Sequence, residues 1–385
     1  MDKSNLEHRV GKIVWGLIAI ALGIKAVVFL YIAFGDPLLM MQADSYGYLS
    51  DAKAWVQYLS VPFQGLHHSF YRTPGYSLFL AIFHFWCNLP LLGIVFLQIA
   101  LNILTAIIVF KIVRSMDQLT ALLSAAIVLL DLPMTIFSSM ILTESLYVFV
   151  LSLFLYSFIK YISVRHISWL LGSAVLLAAS VYIRPVGYFL GLAVAGYILY
   201  LWGMKKVLIG LAHAGMVIVI VYGALFIWQY HNLKAHSSFT FSNIGNATIN
   251  MHGIIGRYVH ETDPQLRAMP PVLYYIDSIG RNFLDLMTTP GSMRCLHSKG
   301  WYVFGSVFGY AFVIFWWIGL IAGVKKCMAG LTGQFVFLLL LYFAVISLVS
   351  TGWNVTPRFR VPMVPSIAII AAQGWMSLLY KSCIP

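Results

Sequence analysis

Residues 13–34 read Ile-Val-Trp-Gly-Leu-Ile-Ala-Ile-Ala-Leu-Gly-Ile-Lys-Ala-Val-Val-Phe-Leu-Tyr-Ile-Ala-Phe, 22 positions interrupted by one charge, Lys25. A helix of that length rises about 33 Å, enough to cross the ~30 Å of hydrocarbon in a bilayer. The run follows Lys3, Arg9 and Lys12, as a signal peptide's apolar segment would. It is longer than the roughly 7–15 residues of such a segment and lacks a small-x-small cleavage site, so it reads as a retained helix. Similar runs recur at 92–113, 119–138, 145–162, 168–183, 186–203, 207–230, 302–323, 333–350 and 362–380. With 61% hydrophobic residues, 9% charged and a mean hydropathy of +0.87, the chain is expected to be an all-α polytopic membrane protein of about ten spans. It is read as one integral membrane domain over 1–385, since no long polar block is left to fold separately.

Tyr76 to Trp86 is a further apolar stretch of 11 residues, too short to span and expected to lie in the interface or re-enter. Charge parity agrees. With an inside N-terminus and 76–86 left out, Lys111/Arg114, Lys160/Arg165, Lys205/Lys206, Lys325/Lys326 and Lys381 all fall on the cytoplasmic side. Counting 76–86 as a crossing would invert every later group against the positive-inside rule. The net charge of +12 is thereby explained as orientation signals rather than a nucleic-acid surface. Both termini are expected in the cytoplasm, and the protein in the inner membrane.

This topology gathers most acidic residues and many arginines on the outer side, in loops at about 35–91 and 231–301 and in short segments at 139–144, 184–185 and 351–361. The first loop holds Met41-Gln-Ala-Asp-Ser-Tyr-Gly-Tyr48 and Arg72-Thr-Pro-Gly-Tyr76. A carboxylate and a guanidinium close to a membrane surface suit a base that takes a proton and a cation that receives a phosphate.

Asp44, Arg72-Thr-Pro-Gly-Tyr76, Leu142-Thr-Glu144, Ile183-Arg-Pro185 and Arg358-Phe-Arg-Val-Pro-Met-Val-Pro365 occur in an order that resembles the GT-C glycosyltransferases. The likeness is to the bacterial branch related to protein O-mannosyltransferases and lipid A aminoarabinose transferase. It implies a polyprenyl-phosphate sugar donor and transfer on the outer face. The acceptor class it implies is a lipid-linked glycan, lipopolysaccharide or protein.

The residues suit that chemistry. A polyprenyl phosphate is a good leaving group, so its departure needs cations more than a general acid. A single inverting displacement then needs one base behind the anomeric carbon, unlike the carboxylate pair of a glycoside hydrolase. Asp44 is the expected base and Arg72 the leading phosphate ligand. The structural alternative for Asp44 is a helix N-cap, because 45–58 reads as an amphipathic surface helix. Asp51 reads as a solvated partner of Lys53 or Arg72. Glu144 either approaches Asp44, orienting acceptor or raising its pKa, or is an exposed cap on the fourth span.

Two departures from the relatives weigh against a bound divalent metal, which wants several hard oxygen ligands. Ser45 follows Asp44 where many relatives have a second acid, and Tyr71 stands where the aminoarabinose enzymes have one. No cofactor is expected. Arg184 either contacts the donor phosphate or snorkels to headgroups. Arg358 and Arg360 alternate in a Pro-bounded segment expected to be extended; both are candidate ligands of the donor phosphate, with Arg358 favoured to face the cavity. His297, beside Arg294 and Lys299, and Tyr48 are the candidates to assist acceptor binding. His67/His68 lack supporting ligands for a metal. Lys25 is costly in mid-span unless paired, and Asp131 is its expected partner.

The loop 231–301 reads as short helices and turns. Asn246-Ala-Thr and Asn354-Val-Thr fit glycosylation sequons by chance, and a Cys87–Cys295 disulfide is a minor alternative to free thiols. Two other classes remain. A transporter would place charge near the bilayer midplane in two related halves, and no internal repeat is visible. A lipid-linked glycan polymerase or ligase would share the outer arginines but normally lack an essential aspartate after the first span.

Overall fold

The computed structural model describes residues 3–60, 72–243, 258–259, 262–290, 299–351 and 356–381, and every element among them is helical. A 3₁₀ turn, Pro37–Met40, joins α1 (Lys3–Phe34) to α2 (Ala43–Ser60). Next come α3 (Pro74–Leu80), continued by a π-helical turn to Trp86, and α4 (Leu91–Val113). The middle of the chain holds α5 (Gln118–Leu130), α6 (Leu132–Ser138), α7 (Glu144–Val164), α8 (Ile167–Ile183), α9 (Leu190–Trp202) and α10 (Val207–His236). The last part holds α11 (Pro264–Arg267), α12 (Pro271–Thr288), α13 (Lys299–Met328), α14 (Leu331–Thr351), a 3₁₀ segment Pro357–Met363, and α15 (Val364–Lys381).

Among the described residues eight helices are long and apolar enough to cross a membrane, and the bent pair α5–α6 makes a ninth. The apolar α8, with 17 residues, sits at the roughly 17-residue lower limit for a span and packs along α7. It occupies the expected span 168–183 but is shorter than the helices counted as crossings, so the described residues give eight or nine spans against the ten expected. α15 is the central post: 83% of its apolar stretch is buried, against 22% for α1 and for α10, whose flanks are left for lipid. Lipid gives helices no hydrophobic reason to associate, so close packing and polar contacts carry the bundle. A Cβ on Gly323 would lie 2.0 Å from the Ile370 carbonyl, and one on Gly374 1.9 Å from that of Gly319. Their hydrogens let α13 and α15 approach backbone to backbone.

The expected single span 119–138 is bent by 54°. Asp131 ends α5 in an extended conformation and caps α6, accepting from the Met134 amide at 2.9 Å, while Pro133 at the start of α6 has no amide to continue the helix. Lys25 donates to Thr135 Oγ1 at 2.8 Å, while Asp131, the partner expected from sequence, acts as its counter-charge without a direct hydrogen bond. The carbonyls freed where α6 ends are met from α4. Buried Gln98 donates to the Ser138 carbonyl at 3.1 Å and also to that of Met140, and Asn102, one turn on, reaches the Met134 carbonyl at 3.0 Å. Gln98 accepts in turn from the Tyr76 hydroxyl at 2.6 Å. The stretch 76–86 is therefore not a crossing. It is a short helix with Tyr76, Ser77, Leu80 and Ala81 buried, packed between α2 and α8.

Candidate active site

Asp44 stands in the first turn of α2, and a hydroxyl fixes where that turn lies. Ser45, fully buried, donates to the Ile141 carbonyl at 2.9 Å and accepts from the Gln42 amide at 2.9 Å. The Ile141 amide donates to the Met40 carbonyl at 2.9 Å. These bonds clamp the start of α2 to the segment that leads into Glu144. Ser45 thus occupies a small buried niche where a second carboxylate would be costly.

A second clamp joins Arg72 to Arg184. Thr73, the N-cap residue of α3, donates from its hydroxyl to the Ile183 carbonyl at 3.2 Å. That carbonyl lies at the end of α8, next to Arg184. Arg72 then crosses α2 at Gly47, where an added Cβ would lie 2.0 Å from its Nη1. The Arg72 guanidinium lies 5.0 Å from the centre of the Tyr48 ring, which meets Tyr76 edge-on at 5.0 Å.

The charges converge as a chain of ion pairs. Arg72 Nη2 lies 3.2 Å from Asp44 Oδ1, and Arg358 Nη1 lies 2.9 Å from Asp44 Oδ2. Arg358 also pairs through Nε with Glu144, whose same oxygen is 2.5 Å from Arg184 Nη1. Glu144 is 1% exposed, while Asp44 keeps 40% of its side chain open. Three guanidiniums face two carboxylates, so the cluster carries one positive charge in excess. Burial alone would raise the Asp44 carboxyl. The hydrogen bond and charge of Arg358, then those of Arg72, outweigh it and hold the group below its ordinary value. Tyr48 stays a neutral phenol, because burial raises it further than Arg358 and Arg184 lower it.

Asp44, Arg72, Glu144, Arg184, Arg358 and Tyr48 are therefore brought together. Arg360 is not. The segment 357–363 is 3₁₀ rather than extended, and at about three residues per turn positions two apart diverge. Arg360 turns into the protein, 1% exposed, and donates to the Leu286 and Thr289 carbonyls at 2.9 Å each, at the end of α12. It fastens α12 to the segment carrying Arg358 and is no phosphate ligand. Glu144 is not the exposed cap that was one of its two readings, and Asp51 is 5% exposed on the inner face of α2 rather than solvated. Cys87 is an exposed free thiol. His297, His67, His68, Cys295 and both sequons lie outside the described residues. The clamping roles of Ser45, Thr73 and Gln98 have no signal in the sequence, because each donates to backbone carbonyls, which no residue pattern announces.

The family model described as dolichyl-phosphate-mannose-protein mannosyltransferase matches residues 71–228, from just before Arg72 into α10. No curated protein matches the chain. Among solved structures, ArnT from Cupriavidus metallidurans bound to undecaprenyl phosphate superposes with a TM-score of 0.55 at 13% identity, over 96% of this chain and 63% of that one. AglB, an oligosaccharyltransferase from Archaeoglobus fulgidus in complex with an inhibitory peptide and a dolichol-phosphate, gives 0.57 at 10%, over 96% and 50%. The chain thus spans less than two-thirds of the length of either, and at these identities the likeness is one of fold. The chain is a polytopic helical membrane protein with the GT-C glycosyltransferase fold, and its residues 71–228 are similar to the family described as dolichyl-phosphate-mannose-protein mannosyltransferase.

Proposed function

We propose that the protein is an inverting glycosyltransferase that moves a sugar from a polyprenyl-phosphate donor to an acceptor on the outer face of the inner membrane. The observation that carries this reading is the placement of Arg358 between Asp44 and Glu144. An anionic phosphate diester entering the cluster neutralises its excess positive charge and competes with Asp44 for Arg358 and Arg72. The arriving donor would thereby assemble its own phosphate site and release the base in one movement.

In the reaction the acceptor hydroxyl or amine attacks the anomeric carbon from the face opposite the phosphate. The bond from that carbon to the phosphate oxygen breaks, and its electron pair leaves with the polyprenyl phosphate. The acceptor proton passes to Asp44. Charge on the departing phosphate grows towards a dianion, and the guanidiniums already drawn onto the phosphate when the donor binds stabilise it, with Arg358 and Arg184 still held by Glu144. Glu144 acts as a positioning residue, holding Arg358 and Arg184 at the required separation. Tyr48, neutral beneath Arg72, offers a hydroxyl donor to sugar or acceptor. No metal is needed in this scheme.

Support comes from the family match through Arg72, Glu144 and Arg184, and from relatives of the same fold that bind undecaprenyl phosphate and dolichol-phosphate. The acceptor is a lipid-linked glycan, lipopolysaccharide or protein of the cell envelope. Mass spectrometry of envelope glycans and glycoproteins, from cells with and without the protein, tests this. The expected result is one sugar residue missing from one product. An unchanged envelope, with the protein expressed in the control cells, would contradict the reading.

A further inference from the structure

The end of the bundle opposite the charged cluster carries a second group of cations, on a built aromatic frame. α7 is 21 residues long, so its far end lies about 30 Å from Glu144, in the other leaflet. There α7 closes on Arg165, which adopts the left-handed conformation at φ 59°. Glycine would close that turn with less strain. Arginine instead sets a guanidinium 5.3 Å from the centre of the Trp202 ring, at the end of α9. Lys206, in the turn before α10, lies 5.7 Å from the same ring. The ring is locked in place. Trp202 Nε1 donates to the Tyr161 hydroxyl at 2.9 Å, and that hydroxyl is 2.7 Å from His213 Nδ1.

Two features go beyond orientation charges. From Ser145 to His260 the sequence has no acidic residue, so these cations have no counter-charge on α7–α10. The described carboxylates at this end serve other elements: Glu7 accepts from the Tyr380 hydroxyl, and Asp117 caps α5. Moreover Arg165 Nη1 is shielded from solvent and makes no hydrogen bond among the described residues, although the guanidinium lies near the Tyr161 hydroxyl. A buried charged donor left unmet is costly, and a phosphate oxygen would satisfy it.

We propose that Arg165 and Lys206, framed on Trp202, bind the phosphodiester of one anionic phospholipid in the leaflet opposite the catalytic cluster. The lipid's acyl chains would lie along the apolar flanks of α8–α10, where Trp169, Leu171, Val175 and Leu199 are exposed. This site is independent of the proposed reaction.

Native mass spectrometry of the full-length protein, titrated with phosphatidylglycerol, phosphatidylcholine or inorganic phosphate, tests it. The wild type is expected to retain one phosphatidylglycerol preferentially. R165Q/K206Q should weaken that retention by about tenfold or more, since each basic contact to an anionic headgroup is worth roughly a factor of five. K325Q/K326Q, which removes two exposed cations from the end of α13, should not change it. Should the double variant not fold, K206Q alone, in an exposed turn, is expected to show about a fivefold loss. Equal weakening by K325Q/K326Q would reduce the effect to diffuse charge and overturn the site. Equal retention of phosphatidylcholine, or displacement of the lipid by inorganic phosphate, would overturn the assignment of the ligand.

Discussion

Arg358 donates to the carboxylate of Asp44 at 2.9 Å across 314 residues of sequence. The contact joins the first outer loop to the segment before the last span, and it leaves the proposed base and the proposed phosphate ligand each occupied by the other. A phosphate that displaces Asp44 from this guanidinium changes both at once.

Removal of either guanidinium should therefore weaken donor binding and slow transfer together. Charge-assisted contacts to phosphate are worth roughly 1.5–3 kcal/mol each, so Arg72→Ala and Arg358→Ala should each lose at least about tenfold to a hundredfold in kcat/KM. Arg72→Lys should keep part of the rate, with charge retained and the bidentate fork lost. Calorimetric donor affinity alongside turnover in nanodiscs measures this. Affinity and rate both unchanged in Arg72→Ala would move the phosphate away from this end of the cluster.

Gly47 gives a cleaner probe, because the arginine itself stays. A methyl group there would lie 2.0 Å from Arg72 Nη1 and force the guanidinium off Asp44. Within a helix alanine is favoured over glycine by about 1 kcal/mol, so Gly47→Ala should keep or raise the melting temperature. Its kcat/KM should nevertheless fall by about tenfold, on the same scale as loss of one phosphate contact. Full activity in a stable Gly47→Ala protein would show that Arg72 need not lie across α2.

The ion pairs also set a pH dependence. The Asp44 carboxyl is held below its ordinary value, so the stability it contributes is present above the unfolded value and lost as pH falls through the folded one. For catalysis the acid limb of kcat/KM should lie below the range of an ordinary aspartate in the wild type, because the arginines keep the base of the free enzyme ionised. In Arg358→Ala burial is less opposed, and the limb should move to higher pH. A limb that stays put in that variant would assign the titrating base to another group.

Transfer should survive exhaustive treatment with EDTA. Ser45 is buried on backbone groups, and Asp44 and Glu144 are engaged by arginines, which leaves no set of free hard oxygens in the cluster. Activity lost on chelation and restored by Mg²⁺ or Mn²⁺ would show that an ion displaces those arginines.

The spans were legible because a bilayer imposes one length and one polarity on each. The π turn after α3 changed nothing in the count. What the periodicity hid was the break at Asp131, although Asp-Leu-Pro is a cap followed by a residue without an amide. The charged cluster was partly legible: Asp44, Arg72, Glu144, Arg184 and Arg358 stood out by their charge in the outer segments together with the motifs of the family resemblance. Their mutual pairing was not, since it depends on clamps from Ser45 and Thr73 to carbonyls about a hundred residues away. Arg360 was misread because alternation was assumed to mean an extended strand, whereas a 3₁₀ turn sends it inward to the end of α12.

The central claim is that Asp44 takes the acceptor proton. Asparagine keeps the shape of aspartate but removes its charge, its basicity and one of its two acceptor oxygens. Purified Asp44→Asn protein in nanodiscs, assayed for transfer from a polyprenyl-phosphate sugar, is the most direct measurement. The account predicts donor affinity of at least wild-type strength, because Arg72 and Arg358 are freed from a competing carboxylate, with turnover reduced by about a hundredfold or more. Turnover near the wild-type rate would contradict it.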